Sequence, residues 1–241
     1  MIIPCYNEAN RLPADAFVAY LTRMTAVQLC FVNDGSRDDT STVLERLRQQ
    51  YPGQIEVLNL EKNQGKAGAV RAGMLHYAGR AVDYIGFLDA DLATPLDAIG
   101  DLQTALDQKP ALDLVMGSRI KFLGADIRRD AFRHYVGRVI ATFISNILKL
   151  PVYDTQCGAK LFRRGVVADL FNEPFISPWL FDVELLARLI RKHGRAMVPA
   201  HAAEVPLKQW IEQSDSRISS TYVFKMWYEL YRIHQTYRDA G

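Results

Sequence analysis

Apolar and polar positions follow a strand-then-helix rhythm through the first half of the chain. Val27-Gln28-Leu29-Cys30-Phe31-Val32 is a compact apolar run, and Ile55-Glu56-Val57-Leu58-Asn59-Leu60 alternates at strand period. Tyr84-Ile85-Gly86-Phe87-Leu88 and Asp113-Leu114-Val115-Met116 read as further buried strands. Ile2-Ile3-Pro4 begins almost at Met1, as a very short first strand or a clipped one. Helices are expected between them at roughly 38–50, 65–79 and 95–108. Strand, helix, strand at this spacing requires right-handed crossovers, so the expected fold is α/β, with a mostly parallel sheet flanked by helices. No internal repeat, low-complexity tract or Pro/Gly/Ser linker intervenes, and 241 residues suit a single domain.

The second half changes character. Residues 131–148 carry Phe132, Tyr135, Val136, Val139, Ile140, Phe143, Ile144, Ile147 and Leu148 at helical spacing. Such a stripe either packs on the sheet or lies in a membrane interface with basic neighbours reaching lipid phosphates. A second helix, expected from about 219 to 238, interleaves Tyr222, Phe224, Trp227, Tyr228, Tyr231 and Tyr237 with Lys225, Arg232 and Arg238. Core packing is the default for it, although aromatics beside basic groups also suit a headgroup region.

Composition narrows the setting. A formal charge of +2 argues neither for nor against nucleic acid, and no nucleic-acid partner is expected. Its distribution says more, because Lys121, Arg128, Arg129, Arg133, Arg138 and Lys149 fall in one stretch. The three cysteines, Cys5, Cys30 and Cys157, lack metal-binding spacing, which suggests reduced thiols and a cytoplasmic chain. There is neither a signal-peptide pattern nor an apolar run long enough to span a bilayer.

Four polar clusters fall where successive strands end: Pro4-Cys5-Tyr6-Asn7-Glu8, Asn33 to Thr40, Asn63 to Arg71, and Asp89-Ala90-Asp91. Each alone reads as a turn, a cap or a glycine loop. In a parallel sheet all four converge on the carboxyl edge, where ligands bind. Two carboxylates one residue apart can share a hard divalent ion and leave positions open for a diphosphate. A dinucleotide fingerprint does not follow the first strand, and Lys66 lacks the spacing and following Ser or Thr of a P-loop.

The ordered set resembles the inverting nucleotide-sugar glycosyltransferases of family 2, with a GT-A fold, from residue 2 to about residue 220. More narrowly it is similar to the polyprenyl- and dolichyl-phosphate hexose synthases. That match rests on Asp154-Thr155-Gln156-Cys157-Gly158-Ala159-Lys160-Leu161-Phe162 and Phe181-Asp182-Val183-Glu184-Leu185-Leu186, closest to the dolichyl-phosphate glucosyltransferase branch. The resemblance implies a nucleotide-sugar half (1–118) and an acceptor half (119–241), with the amphipathic and C-terminal helices on the acceptor side. Pro4, Tyr6, Asn7, Glu8, Asp34, Asn63, Gly65 and Lys66 would line the nucleotide. Asp89 and Asp91 would hold Mg²⁺ or Mn²⁺, with Ala90 beside them and Asp91 the more direct ligand. Arg119 and Arg133 would bind the acceptor phosphate, since a guanidinium fork takes two oxygens at once. Asp154, Gln156, Asp182 and Glu184 would contact sugar or acceptor, and Asp91 and Asp182 would be the catalytic carboxylates.

The implied reaction is a single inverting displacement that moves a hexose, best glucose from UDP-glucose, onto a polyprenyl or dolichyl phosphate. The alternatives are GDP-mannose as donor, or a soluble transferase acting on a saccharide hydroxyl. A phosphate monoester, with a second pKa of about 6, is largely dianionic at neutral pH and needs no obligatory base. Two departures from the pattern stand out: Ala93 replaces an amide common in mannosyl relatives, and Ala159 an aromatic. The membrane anchor of many relatives is not seen in these residues, so the expected attachment is peripheral, at the cytoplasmic face of a membrane.

Overall fold

A computed structural model describes residues 1–213 and 222–238, without the side chains of 131–132 and 222–224. The first half runs β1 (Ile2–Cys5), α1 (Ala14–Arg23), β2 (Leu29–Asp34), α2 (Thr40–Gln50), β3 (Ile55–Leu60), α3 (Gly65–Ala78), β4 (Tyr84–Phe87), α4 (Ala98–Gln108) and β5 (Leu114–Ser118). There follow β6 (Asp126–Arg128), α5 (Ala131–Leu148), β7 (Lys160–Arg163), α6 (Arg164–Phe171) and α7 (Phe181–His193). A 3-10 turn (Arg195–Met197) leads to α8 (Val198–His201), β8 (Ala202–Pro206), β9 (Gln209–Ile211) and α9 (Tyr222–Tyr237).

Seven strands form one sheet in the order β3-β2-β1-β4-β7-β5-β8, and β6 pairs with β9 separately. Every pairing within the large sheet is parallel except those of β7, which runs antiparallel between β4 and β5. Each residue of β2 is buried, as expected of a strand covered on both faces. One face packs against α3, α6, α7 and parts of α5 and α9, through Met74, Phe162, Phe171, Phe181 and Leu230. The other packs against α1, α2 and α4, through Phe17, Phe31, Leu44 and Leu102. The first-half helices and strands lie where the periodicity puts them, with ends shifted by a few residues.

The helix at 131–148 forms with the expected bounds. Asp130 caps its N-terminus by accepting from the Arg133 N–H (3.0 Å), and Lys149 ends it in the left-handed region (φ 52°). Its apolar stripe does not pack throughout. Ile144 and Leu148 are buried, whereas Tyr135 is 71% exposed, Val139 53% and Phe143 46%. On α9, Met226, Leu230, Ile233 and Tyr237 face the core, while Trp227, Tyr228 and Tyr231 remain substantially exposed. The expected start of that helix at 219–221 and the side chains of Phe132, Tyr222 and Phe224 lie outside the described residues. Among the described residues no helix is long and apolar enough to cross a membrane.

Candidate active site

The loops following β1, β2, β3 and β4 meet at one edge of the sheet and are stitched together by backbone-to-side-chain bonds. Asn7, in the left-handed region (φ 51°), accepts from the Arg37 N–H (2.9 Å), while its own N–H reaches the Ser36 hydroxyl (3.0 Å). The Glu8 N–H donates to the Thr40 hydroxyl at 2.7 Å. Asp34, only 2% exposed, accepts from the Gln64 N–H (2.7 Å), and Asn63 donates to the Asp34 carbonyl (3.1 Å). Burial pushes the Asp34 carboxyl up, against the Gln64 and Gly65 N–H groups that favour the charged form. Asp34 thus braces the third loop in addition to facing the shared edge. Pro4 and Tyr6 are half-buried beside these contacts.

Asp89 and Asp91 stand just beyond β4, separated by buried Ala90. Lys66 Nζ lies 2.5 Å from Asp89 Oδ1, and the Ala93 N–H donates to Asp91 Oδ1 (3.0 Å). Burial, and then the neighbouring Asp89 charge, push the Asp91 carboxyl up, opposed by the Ala93 N–H, Lys66 and Arg11. A buried carboxylate with a second one beside it suits a hard divalent cation, which relieves both the burial and the repulsion. Lys66 stays charged because Asp89, Asp182 and Asp91 outweigh its burial.

The segment after α5 explains why Gln156, Cys157 and Gly158 stand together. A methyl on Gly158 would lie 1.9 Å from Asp89 Oδ2, so this turn forms the seat of the Asp89 carboxylate. Lys160, wholly buried, donates to the Cys157 carbonyl (2.6 Å) and pairs with Asp182 (2.7 Å). A lysine inside an apolar strand was the signal for this pair, and neither the lysine nor the role of Gly158 is evident from periodicity. Asp182 is 4% exposed at the head of α7, its carboxyl pushed up by burial against the pull of Lys160 and Lys66. It lies in the base of the site as half of an ion pair.

Beside the Asp89 loop is a second, basic pocket, lined by Arg119, Arg129, His134, Arg138, Tyr153 and Gln156 among others. Arg119 grips Asp154 in a two-pronged bond (both 2.7 Å), and Glu204 accepts from the Tyr153 and Asp154 N–H groups (2.8 and 2.7 Å). Burial pushes the Asp154 carboxyl up, yet Arg119 outweighs it and holds the group below its ordinary range. Asp154 therefore orients Arg119, and Gln156 faces the open pocket. Arg138 donates to the Tyr153 carbonyl (2.7 Å) and stacks on that ring (3.6 Å). Arg129 lies against Gly137, where a methyl would meet its Nη2 at 2.6 Å. Burial and the charges of Arg119 and Arg138 lower its proton affinity. Three guanidinium groups and the Asp154 carboxylate line this pocket, with the carboxylates of Glu204 and Glu212 close behind them.

Two residues expected on the acceptor side lie away from this pocket. Arg133 turns away onto Glu212 (2.8 Å), is 47% exposed at its side chain and does not line this pocket; Arg129 and Arg138 do. Its position on the first turn of α5 sends it outward. Glu184 does not line this pocket either. It is fully buried, paired with Arg188 (2.8 Å), and accepts from the Ile176 N–H (2.8 Å) and the Tyr237 hydroxyl (2.9 Å), which locks α7 to α9.

The fold has close relatives. Glucosyl-3-phosphoglycerate synthase from Mycobacterium tuberculosis, solved with uridine diphosphate, superposes with a TM-score of 0.70 at 17% identity, covering 97% of this chain and 79% of that one. The same enzyme with Mn²⁺, UDP-glucose and phosphoglyceric acid gives 0.67 at 16% identity, covering 99% and 78%. In sequence, dolichyl-phosphate beta-glucosyltransferases are similar over most of the chain. One from Trichomonas vaginalis is 34% identical, covering 96% of this chain and 69% of its own length. The Saccharomyces cerevisiae protein is 30% identical (91% and 68%), and the human protein 32% (77% and 61%). The chain thus spans about two thirds of the length of these relatives. The model of "Glycosyl transferase family 2" matches residues 1–171, and with the carboxylate pair seated beyond β4 this places the chain in that family of sugar-transferring enzymes.

Proposed function

We propose that this enzyme transfers glucose from UDP-glucose to a polyprenyl or dolichyl phosphate, with inversion, at the cytoplasmic face of a membrane. The observation that carries the reading is the basic pocket of Arg119, Arg129 and Arg138 beside the Asp89 and Asp91 loop, because it fits an anionic acceptor. The similarity to dolichyl-phosphate beta-glucosyltransferases supports the glucosyl group and the lipid. The four stitched loops, with Pro4, Tyr6, Asn7, Glu8, Asp34, Asn63 and Gly65, would hold the nucleotide.

Asp89 and Asp91 would hold Mg²⁺ or Mn²⁺, and that ion supplies charge neutralisation for a departing diphosphate. The protein's own part is positional. Gly158 and the Lys160 tie fix Asp89, and Asp154 aims Arg119. Lys66 adds a cation on the diphosphate side. The acceptor phosphate arrives already ionised, so orientation and electrostatics carry the step and no base is needed.

The exposed aromatics of α5 and α9 suit the lipid end. Phe143 and Trp227 meet edge to face (4.9 Å) between exposed Val139, Tyr228 and Tyr231, with Lys149, Lys225 and Arg232 also exposed on these helices or at their ends. Apolar rings flanked by cations match an anionic membrane interface.

The test is nucleoside diphosphate release by purified protein with Mn²⁺, a polyprenyl phosphate and a panel of UDP- and GDP-sugars. Release that requires both UDP-glucose and the lipid phosphate, and is lost in Asp91→Asn, supports the reading. Tight donor binding without acceptor-dependent release refutes the lipid acceptor, and release from GDP-mannose alone refutes the donor.

A further inference from the structure

At the opposite edge of the sheet, three side chains from three elements converge. Asp113 immediately precedes β5 and His201 immediately precedes β8. The two strands are parallel neighbours with Leu114 facing Ala202, so their register sets Asp113 beside His201. The Asp113 N–H donates to the His201 carbonyl (2.8 Å), which fixes the two backbones. His193 arrives from the last turn of α7, which Gly194 ends at φ 80°.

The side chains address one atom. His193 Nε2 lies 2.8 Å and His201 Nδ1 3.0 Å from the same Asp113 oxygen, Oδ2. The two imidazoles stack with centroids 3.7 Å apart and planes 12° from parallel. Two rings on one carboxylate oxygen are more than a hydrogen bond needs. His193 Nε2 is inaccessible to solvent and, despite its distance from Asp113, lacks hydrogen-bond geometry. All three candidate ligand atoms lie within 4.8 Å of one another.

We propose that Asp113, His193 and His201 form a binding site for a transition-metal dication, of the class that imidazole and carboxylate select: Zn²⁺, Co²⁺ or Ni²⁺. It is separate from the Asp89 and Asp91 site, since it lies at the amino ends of β5 and β8, and it does not depend on the proposed acceptor or donor. Ligand bonds of about 2.0–2.2 Å require both lone pairs to converge on the ion, so each ring turns about its Cβ–Cγ bond on loading. The side chains are 17% and 23% exposed, which leaves that rotation outside the tightest core. Three protein ligands leave one tetrahedral position for water. The bound ion would staple β5 and β8 to the end of α7, and it competes with protons for both imidazoles, so affinity falls as pH drops.

The experiment uses the full chain carrying Asp89→Asn and Asp91→Asn, which removes the other carboxylate pair. Protein stripped with a chelator is titrated with Zn²⁺ against a chromophoric competitor, and with Co²⁺ by visible absorption. The expected result is about one equivalent of Zn²⁺, an intense four-coordinate Co²⁺ spectrum, and affinity at least about tenfold weaker in His193→Gln and in His201→Gln. Circular dichroism confirms that each variant is folded, and if either His variant fails to fold the Co²⁺ spectrum of the parent decides. No stoichiometric Zn²⁺ in the parent, an octahedral aqueous-like Co²⁺ spectrum, or parental affinity retained in both folded His variants would overturn the proposal.

Discussion

Replacing Gly158 by alanine tests whether the turn after α5 seats the metal-side carboxylate. The added methyl would stand 1.9 Å from Asp89 Oδ2 and 2.4 Å from its Cγ. Carbon–oxygen contacts normally begin at about 3.3 Å, so the carboxylate or the turn must give way by more than about 1 Å. Asp89 has little freedom to absorb this, because Lys66 holds its other oxygen at 2.5 Å and Lys160 ties the Cys157 carbonyl at 2.6 Å. Metal ligands tolerate displacements of only about 0.2 Å. A misplacement near 1 Å costs about a hundredfold in rate, or about 2.7 kcal/mol of transition-state stabilisation. Acceptor-dependent diphosphate release, measured across a Mn²⁺ titration, should show a kcat about a hundredfold lower and a Mn²⁺ requirement shifted upward. Near-UV circular dichroism should remain that of the parent. A folded Gly158→Ala enzyme with parental kcat and parental Mn²⁺ dependence would refute the seat.

Further outcomes follow from the same geometry. Arg129→Ala and Arg138→Ala should each raise the acceptor KM about tenfold or more, since hydrogen bonds to charged groups are worth about 1.5–3 kcal/mol, with the donor KM unchanged. Arg133→Ala, which removes only an exposed pair with Glu212, should stay within about threefold. Burial pushes Glu56 up, but bonds from Arg80, His76 and Tyr77 outweigh it and hold it at about 2. Its contribution is therefore present above about pH 4.5 and lost as pH falls towards 2, and urea melts should show a shallower acid slope for Glu56→Gln. Replacing Phe143 and Trp227 together by serine should reduce co-sedimentation with anionic liposomes at least about tenfold, because each buried ring contributes about 1.5–3 kcal/mol; unchanged binding would exclude this face.

Much of this architecture was legible from the sequence, for a physical reason. Strands buried on both faces, such as Leu29–Asp34, are continuous apolar runs, and parallel order brings their polar ends to one edge. What escaped periodicity was short or compensated. β7 has only four residues, one of them a lysine, and pairing it between β4 and β5 depends on contacts across more than seventy positions to the first and more than forty to the second. Glu184 shows the opposite failure. A carboxylate one turn into a helix beside Asp182 looks like site chemistry, but helical spacing of two residues turns it to a different face, onto Arg188. The α5 stripe could be read as core or as surface because periodicity reports a face and not what covers it. Arg133 and Arg129 were equally basic on paper; the cap at Asp130 and the gap at Gly137 decide which one reaches the pocket.

The same reasoning bears on whether any acid acts as base. Asp182 is buried and bound to Lys160, so Asp182→Asn removes half of a buried ion pair and should destabilise the fold by about 3–5 kcal/mol. Lost activity in that variant alone would then say little about chemistry. Replacing both partners, Lys160→Met with Asp182→Leu, removes the unpaired charge and should recover most of the stability. The double variant also loses the Lys160 tie to the Cys157 carbonyl, so the Mn²⁺ requirement must report whether Asp89 stays seated; where that requirement is parental, transfer should stay within about tenfold of the parent. A general base contributes about 10²–10⁴-fold, and no second substitution at Lys160 could restore it. A folded double variant with parental donor and acceptor binding and a parental Mn²⁺ requirement that still transfers a hundredfold or more slowly would establish Asp182 as a base, and the idea of a self-ionised phosphate acceptor would have to be abandoned.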